Sequence, residues 1–556
     1  MKFKTLAVLL LATSFSLSMI ACGGGSKSSN NGGAGSTEKI EEASDKVLYS
    51  NGGPIEFFEV PWLNPAVNTY NKAMYDQLIE ADASLNPKEG ELAKTFNLNE
   101  DGTLLTFELR DDIYWHDGDK ITAEDIKWSI EYSMKTAVLN QVFLNTFKSI
   151  AGSEDYLEGK AEEISGIKID GNNIEITFDK VAPDALVTFS QFSPLPKKHF
   201  EGVDPLKFQQ AKYFQKPVGS GPFKVEEVKM NDYTTLTAFD KYYDGQAEFS
   251  IHLTPSPGDS DTNLVNNAKS GMLDYGYTKN IADVKALEGE DNLEINRVDV
   301  RYTRLFFANK FNKKDGKESP LKDAKVRQAI RYAIDMKTIG ENLFNGSITP
   351  ANSLTPNGAD KVNGLDTYDY NPEKAKKLLE EAGWDPNYEL DVVYYYTDQL
   401  TVDFMTAIQS YLSEIGMKMK FRLVEGDLAT LLWSAPEDQV NGPSEVDWDL
   451  CYAATSALSM HEYYDKFRTG SPVNSHTPSD DKLNELIDAT NKTADTETQK
   501  KAYFELQKYE NENMFVIPLY YQPVFVIESD KIQEGIKEHG NPQFHYDWNI
   551  QNWKLK

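Results

Sequence analysis

The chain has 556 residues, enough for more than one domain with its own core, and its 57 basic and 87 acidic residues leave a net charge of −30. That acidity removes nucleic acid from the partners to consider, because phosphate binding needs a basic surface, and it favours solubility. With only two cysteines, Cys22 and Cys451, a disulfide framework and a Cys-rich zinc site are also excluded.

The first element is a leader. Lys2 and Lys4 precede an apolar run, Leu6 to Leu17, that is too short for a membrane span, and Ser18-Met19-Ile20-Ala21 places a small residue before Cys22. Residues 1–21 resemble a bacterial lipoprotein signal, with Met19 where leucine is more usual. The resemblance implies lipidation of Cys22 and a place on the extracytoplasmic face of the cell membrane. Residues 22–45 are Gly, Ser and Asn followed by mixed charges, with almost nothing to bury, which predicts a flexible tether. No later apolar run is long enough to span a membrane.

From Val47 to Leu253 short strands alternate with turns and helices. TLLTFELRDDIYW alternates apolar and polar residues and breaks at the turn His116-Asp117-Gly118-Asp119. Thr122 is the expected N-cap of the next helix, with Glu124 and Asp125 in its first turn and Ile126, Ile130 and Met134 on one face. GIKIDGNNIEITFDK reads as a hairpin around Asp170 to Asn173, and PVGSGPFKV as a Gly/Pro turn leading into two more strands.

The second half is richer in helix. Val326, Ile330, Ile334 and Ile339 predict a helix ended by Asn345-Gly346. NPEKAKKLLEEAG is a compact amphipathic helix between Pro372 and Gly383, and LDVVYYYT reads as a buried strand. A helix, a stop at Gly416 and a strand follow. MFVIPLYYQPVFVIES is strand-rich, interrupted by Pro518 and Pro523. This alternation predicts an α/β body of two or more lobes with a cleft between them, where small-ligand sites tend to lie. The abundance of tyrosine, 29 residues, suits a large adaptable cleft as well as a core.

Catalytic motifs are few. No nucleophile elbow, phosphate loop or dinucleotide fingerprint occurs, and Gly219-Ser220-Gly221 reads as a turn. His461-Glu462-Tyr463-Tyr464-Asp465 has the outline of a zinc-protease helix but carries Asp465 in place of the second histidine, so it reads as a polar helix start on a lobe surface. His116-Asp117-Gly118 reads as a turn rather than a general base, and Cys451 as a small buried hydrophobe. The expectation is a protein with no catalytic residues, no metal and no cofactor.

Six strings, in order, carry a family resemblance: LAKTFNLNEDGTLLTFELRDDIYWHDGDKITAEDIKWSI, PVGSGPFKV, KYYDGQ, PLKDAKVRQAIRYAIDMKTIGENLFNG, NPEKAKKLLEEAG and IPLYY. Over residues 47–556 the chain resembles the extracytoplasmic solute-binding proteins of family 5, the oligopeptide and dipeptide receptors of ABC importers. Their glycines (Gly118, Gly219, Gly221, Gly346) read as turn formers, and Trp115, Trp128 and Tyr332 as core.

The resemblance implies a three-lobed periplasmic-binding-protein-like fold of class II type, with two jaws around a central cleft and a strand-rich insertion lobe. Lobe I corresponds to 46–80, 191–300 and 525–556, lobe II to 81–190 and lobe III to 301–524. It further implies a monomeric receptor that closes on a peptide or other small solute and delivers it to an ABC permease. A non-peptide solute (an oligosaccharide, an opine or a metal chelate) and a surface sensor uncoupled from transport are the alternatives. The family's contact segments map onto Gly53, Phe57, Phe58 and Trp62; onto Arg304, Phe307 and Asn309; and onto Tyr452, Ala453, Ala454, Thr455 and Ser456. Phe57, Phe58 and Trp62 read equally well as pocket aromatics and as packing between lobes I and II. Where peptide receptors of the family often carry an aspartate for the peptide amine, this chain has Leu458, and Cys451 to His461 holds no carboxylate. Either Glu462 or Asp465 moves in, or the amine is bound elsewhere, or the ligand has none.

Overall fold

An eleven-stranded mixed sheet runs through the protein and is made continuous by two long antiparallel strands, Leu293–Ala308 and Val516–Ser529. The computed structural model describes residues 46–556 apart from 64–68, 83–85, 256–262, 427–430, 540–548 and positions 359, 425, 434 and 472. The leader, Cys22 and the tether lie outside the described residues. At one end of the long pair Leu293 meets Ser529, and at the other Phe307 meets Val516. Their pairing shifts register between Asp299 and Thr303, opposite Pro523 and Tyr521, and again between Arg304 and Leu305, opposite Tyr520 and Pro518. Both prolines expected to interrupt the strand therefore sit inside one continuous strand, at its two irregularities, where a missing N–H costs no ladder bond.

On one side of this crossing the sheet continues through Tyr275–Thr278, Val47–Gly53, Ser250–Pro255, Tyr233–Ala238 and Phe223–Lys229. On the other it continues through Leu450–Thr455, Glu389–Tyr394 and Lys418–Leu423. Val47–Gly53 runs parallel to both Tyr275–Thr278 and Ser250–Pro255, and Thr278 pairs with Phe525 close to the crossing. Glu389–Tyr394 runs parallel to Leu450–Thr455 and Lys418–Leu423, and Thr455 pairs with Thr303 at the crossing. Six parallel strands, three from each side, thus point their carboxyl ends at the same place. A separate four-stranded antiparallel sheet contains Ala93–Leu98, Leu104–Leu109, Asn173–Thr177 and Ile167–Asp170, the last two forming the expected hairpin.

Burial follows the same division. One apolar cluster joins residues between Leu48 and Leu253, so the four-stranded sheet and the first half of the large sheet share a core. Two other clusters, drawn from residues between Leu305 and Tyr520, cover opposite faces of the second half. Alternation along Leu293–Ala308 assigns Leu305 and Phe307 to one face and Phe306 and Ala308 to the other.

Local chemistry explains most element boundaries. Thr122 and Asp125 form a reciprocal capping box at the start of helix Ala123–Ser133. Asn371 caps Pro372–Ala382, and Gly383 ends it in the left-handed region at φ 67°. The single helix expected through Ile339 is instead two, Ala324–Ala333 and Met336–Leu343: Ile334 is extended, and the Asp335 carboxylate accepts from the Thr338 N–H as a new N-cap.

The turn at His116 interlocks with the Gly219-Ser220-Gly221 turn. His116 Nδ1 accepts from the Gly219 N–H at 3.1 Å, and its Nε2 donates to the Gly221 carbonyl at 2.9 Å. Burial pulls this imidazole down to about 4, so it is a neutral structural group. The Gly219-Ser220-Gly221 turn in turn holds Met74, whose carbonyl accepts from the Ser220 and Gly221 N–H groups. Trp115 and Tyr332 are buried. Cys451 is a buried free thiol, pushed up to about 12 by burial.

Candidate ligand-binding cleft

The carboxyl ends of parallel strands are where open α/β sheets bind ligands, because the connecting loops diverge there and leave a crevice. Here two sets of such ends face each other across residues 299–303 and 521–523. Glu389–Tyr394 is followed by Tyr395 and Tyr396, whose rings lie 3.9 Å apart and whose hydroxyls are 2.5 Å apart. Tyr302 and Arg304 come from one crossing strand, Tyr520 and Gln522 from the other. The Arg304 guanidinium carbon lies 3.9 Å from the Tyr396 ring centre, 5.3 Å from Tyr302 and 5.9 Å from Tyr452. Its Nε donates to Gln522 Oε1 at 2.6 Å, and the Tyr452 and Tyr520 hydroxyls are hydrogen-bonded at 2.7 Å. Lys279, just past the end of Tyr275–Thr278, places its Nζ 4.9 Å from the Tyr302 ring centre. The result is a tyrosine-lined, cationic patch at the base of the cleft.

The residues expected at the site fall into two groups. Arg304 and Ala454 are register partners, Thr455 pairs with Thr303, and Ser456 follows at the strand end, so these four gather at the crossing with Tyr452. Phe57, 38% exposed, lies on the loop that follows Gly53. Gly53 itself is buried against the neighbouring strand, where an added Cβ would sit 3.0 Å from the Thr254 carbonyl oxygen. Phe58 is buried, with its N–H donating to Phe214 O at 2.7 Å, and Trp62 stacks on Phe208 and Phe192 at 4.7 and 5.4 Å. Of the two readings of these aromatics, packing describes Phe58 and Trp62. Phe307 and Ala453 point into the core of the second half, and Asn309 is buried where its side chain donates to the Trp448 carbonyl. The alternation of the crossing strand, which puts residues 302, 304 and 306 on one face, is the signal that could have selected Tyr302 beside Arg304. Tyr395, Tyr396, Tyr520, Gln522 and Lys279 are brought to the patch by strand pairing, which has no local signature.

Leu458 is buried in the apolar cluster of the opposite jaw. Neither neighbouring carboxylate replaces the missing aspartate: Glu462 is half-buried with Oε2 accepting from the Leu458 N–H at 2.7 Å, and Asp465 accepts from the Ser471 hydroxyl. His461 is not on a surface helix start, as the sequence suggested. It is 8% exposed, and its Nδ1 donates to Asp184 Oδ1 at 2.9 Å, while Ser459 Oγ donates to Asp184 Oδ2 at 3.0 Å. Asp184 precedes helix Ala185–Phe189, in the insertion region that shares its core with the first half of the large sheet, so this cluster ties that combined jaw to the second half. Gly102, whose Cβ would meet the Ala494 Cβ at 2.6 Å, makes a second cross-jaw contact. Among the described residues no group of three or more His, Cys, Asp or Glu is placed to hold a metal ion.

Two half-sheets, a crossing pair and facing strand ends define a multi-lobed α/β binding protein of the periplasmic type. The sequence matches the bacterial extracellular solute-binding proteins, family 5 (middle region), over residues 89–474, and the chain belongs to this family. It is 28% identical to the oligopeptide-binding protein OppA of Lactococcus lactis subsp. cremoris, covering 93% of this chain and 94% of that one. It is 25% identical to the oligopeptide-binding protein AppA of Bacillus subtilis across the full length of both. The chain spans 64% of the length of relatives from Brucella named as ABC transporter peptide-binding proteins, at 27% identity. Among solved structures, the substrate-binding protein CtaP of Listeria monocytogenes superposes with a TM-score of 0.73 at 22% identity, covering 92% of this chain and all of that one. NikZ of Campylobacter jejuni, in complex with Ni(L-His), superposes with a TM-score of 0.70 at 22% identity, covering 92% and 99%.

Proposed function

We propose that this chain is the extracytoplasmic receptor of an ABC importer, which captures oligopeptides by closing two jaws and presents the closed form to a membrane permease. The observation that carries this reading is the meeting of six parallel strand ends at a tyrosine-lined patch, bracketed by polar contacts between the jaws. Its relatives OppA and AppA, named for oligopeptide binding, support the choice of ligand. A ligand that touches both jaws shifts the open–closed equilibrium by the difference in its affinity for the two states. A receptor for many peptides would pair with the peptide backbone and leave room for varied side chains. The lobes are assigned as 46–80 with 191–300 and 525–556, 81–190, and 301–524, and the protein works as a monomer. The engagement of Glu462 and Asp465 by the chain's own Leu458 N–H and Ser471 hydroxyl favours, as second reading, the same mechanism applied to a non-peptide solute.

Native mass spectrometry of the chain beginning after Cys22 tests this directly. Adducts spread over the masses of short peptides and exchangeable with added peptide are expected. A single non-peptide mass would replace the first reading with the second.

The Asp184–His461 contact makes closure pH-dependent. Burial pulls the imidazole down, but the charge and hydrogen bond of Asp184 and the charge of Asp465 outweigh it, leaving His461 above its ordinary 6.5. Tyr503, with its ring 5.4 Å from the imidazole, and Glu462 are the other titratable groups near it, and burial raises both the Tyr503 hydroxyl and the Glu462 carboxyl above their ordinary values. A group whose affinity for protons rises on closure contributes fully below its ordinary value and loses that contribution as pH climbs through the raised one. Peptide dissociation constants should therefore rise about 3- to 10-fold from pH 6 to pH 9, and His461→Gln should flatten the profile. A wild-type profile as flat as the variant's would remove the latch.

The anchor is proposed at Cys22, with the tether holding the receptor near its permease. Cys22→Ser should release the protein from the membrane fraction, because one residue carries the lipid. Retention in that fraction would rule out this anchor.

A further inference from the structure

We propose that Arg304 is an anion anchor: a carboxylate of the bound ligand docks on its free Nη1 within the tyrosine patch. This rests on the receptor reading and names the ligand chemistry its cleft selects.

Arg304 is only 9% exposed, yet no carboxylate of the described residues pairs with it, and its Nη1 has no hydrogen-bond partner. Buried Arg327, by contrast, spends Nε, Nη1 and Nη2 on the carbonyls of Met514, Leu321, Lys322 and Asn513. Buried Arg331 also turns to backbone, with Nη1 on the Ile334 and Tyr368 carbonyls, Nη2 on the Ala351 carbonyl and only its Nε unpartnered, whereas Arg304 uses one nitrogen on a side chain, Gln522, and leaves its outer Nη1 unpartnered. A buried guanidinium without a counter-charge is costly, and phenol rings offset only part of that cost. An incoming carboxylate removes it, and the planar fork of arginine suits that group.

The position is the second observation. Arg304 lies just past the crossing, opposite Ala454, whose methyl group cannot reach it as a hydrogen-bond partner. The Tyr302 ring has Arg304 at 5.3 Å and Lys279 at 4.9 Å from its centre, one cation from each half of the sheet. In a chain of net charge −30, two cations converge here at the ends of the strands. An anion held at this ring draws on both jaws and so favours the closed form.

The carboxylate has two possible sources in a peptide, its C-terminus or an acidic side chain. Titration calorimetry on the wild-type protein separates them with a short peptide of alanine, serine and glycine as the free acid, as its C-terminal amide, and as the amide with one glutamate. A C-terminal anchor predicts that amidation weakens binding about 10-fold or more; a side-chain anchor predicts that the glutamate restores it. Arg304→Gln should bring the carboxylate-bearing peptide to the level of the neutral amide, and Arg304→Lys should keep part of the difference. Equal binding of all three peptides to the wild-type protein overturns the assignment and leaves the receptor reading intact. Binding of none of them overturns the peptide reading and the assignment with it. The wild-type series decides even if Arg304→Gln fails to fold.

Discussion

Replacing Gly219 by alanine should destabilise the protein by about 3 kcal/mol or more, although Gly219 touches no proposed ligand contact. The added Cβ would stand 1.9 Å from the Met74 carbonyl oxygen, a backbone atom that cannot swing aside. That carbonyl already accepts from Ser220 and Gly221, and Ser220 Oγ accepts from the Asp76 N–H at 2.9 Å. On its other side Gly219 exchanges two hydrogen bonds with His116, so relieving the clash in either direction breaks a buried pair. Thermal and urea unfolding would show a lowered midpoint, while any folded fraction should bind ligand normally. An unchanged midpoint would mean that the two turns are free to move apart.

Arg327→Met should be comparably severe. Its guanidinium joins three elements: the turn at Leu321 and Lys322, the end of helix Thr496–Asn513, and Met514 just before the long crossing strand. Truncation strands four carbonyls in a buried site, at about 1–3 kcal/mol for each that finds no water, so a loss of about 4 kcal/mol is expected. Met514 adopts a left-handed conformation at φ 47°, strained for a residue with a Cβ, and the arginine helps hold it there. Equilibrium unfolding measures the cost, and Arg327→Lys, with a single compact donor, should recover only part of it. A loss below about 1 kcal/mol would show that water replaces the guanidinium, leaving the arginine dispensable to the fold.

Both residues belong to strings that carried the family resemblance, and both act on architecture rather than on ligand. His116, Gly219, Gly221 and Asp335 have the same character: a buried imidazole clamp, two close approaches and a helix cap. This explains why the family could be read from the chain while its ligand could not. Turns and caps depend on a few neighbouring residues, so they recur as legible strings. A cleft that accepts varied ligands depends on side chains gathered from distant strands, and no string records that gathering.

The sequence by itself determined the acidic α/β body, the hairpin at Asp170 to Asn173, the capped helices at Thr122 and Asn371, and the turn role of the glycines. Each follows from hydrophobic period or local backbone chemistry within about ten residues. The family resemblance also pointed to Arg304, Ala454, Thr455 and Ser456, which strand pairing brings to one place. Only the tertiary structure decided that Phe58, Trp62, Phe307 and Asn309 are buried packing, since apolar and amide side chains serve a core and a cleft equally well until their neighbours are known. It alone split the helix at Ile334, where Asp335 outcompetes the apolar period as a cap. It alone joined Asp184 to His461 across 277 positions, and set Tyr302, Tyr396 and Tyr520 around Arg304. Contacts of that sequence separation are chosen by the register of long strands, and register is a property of the folded sheet as a whole.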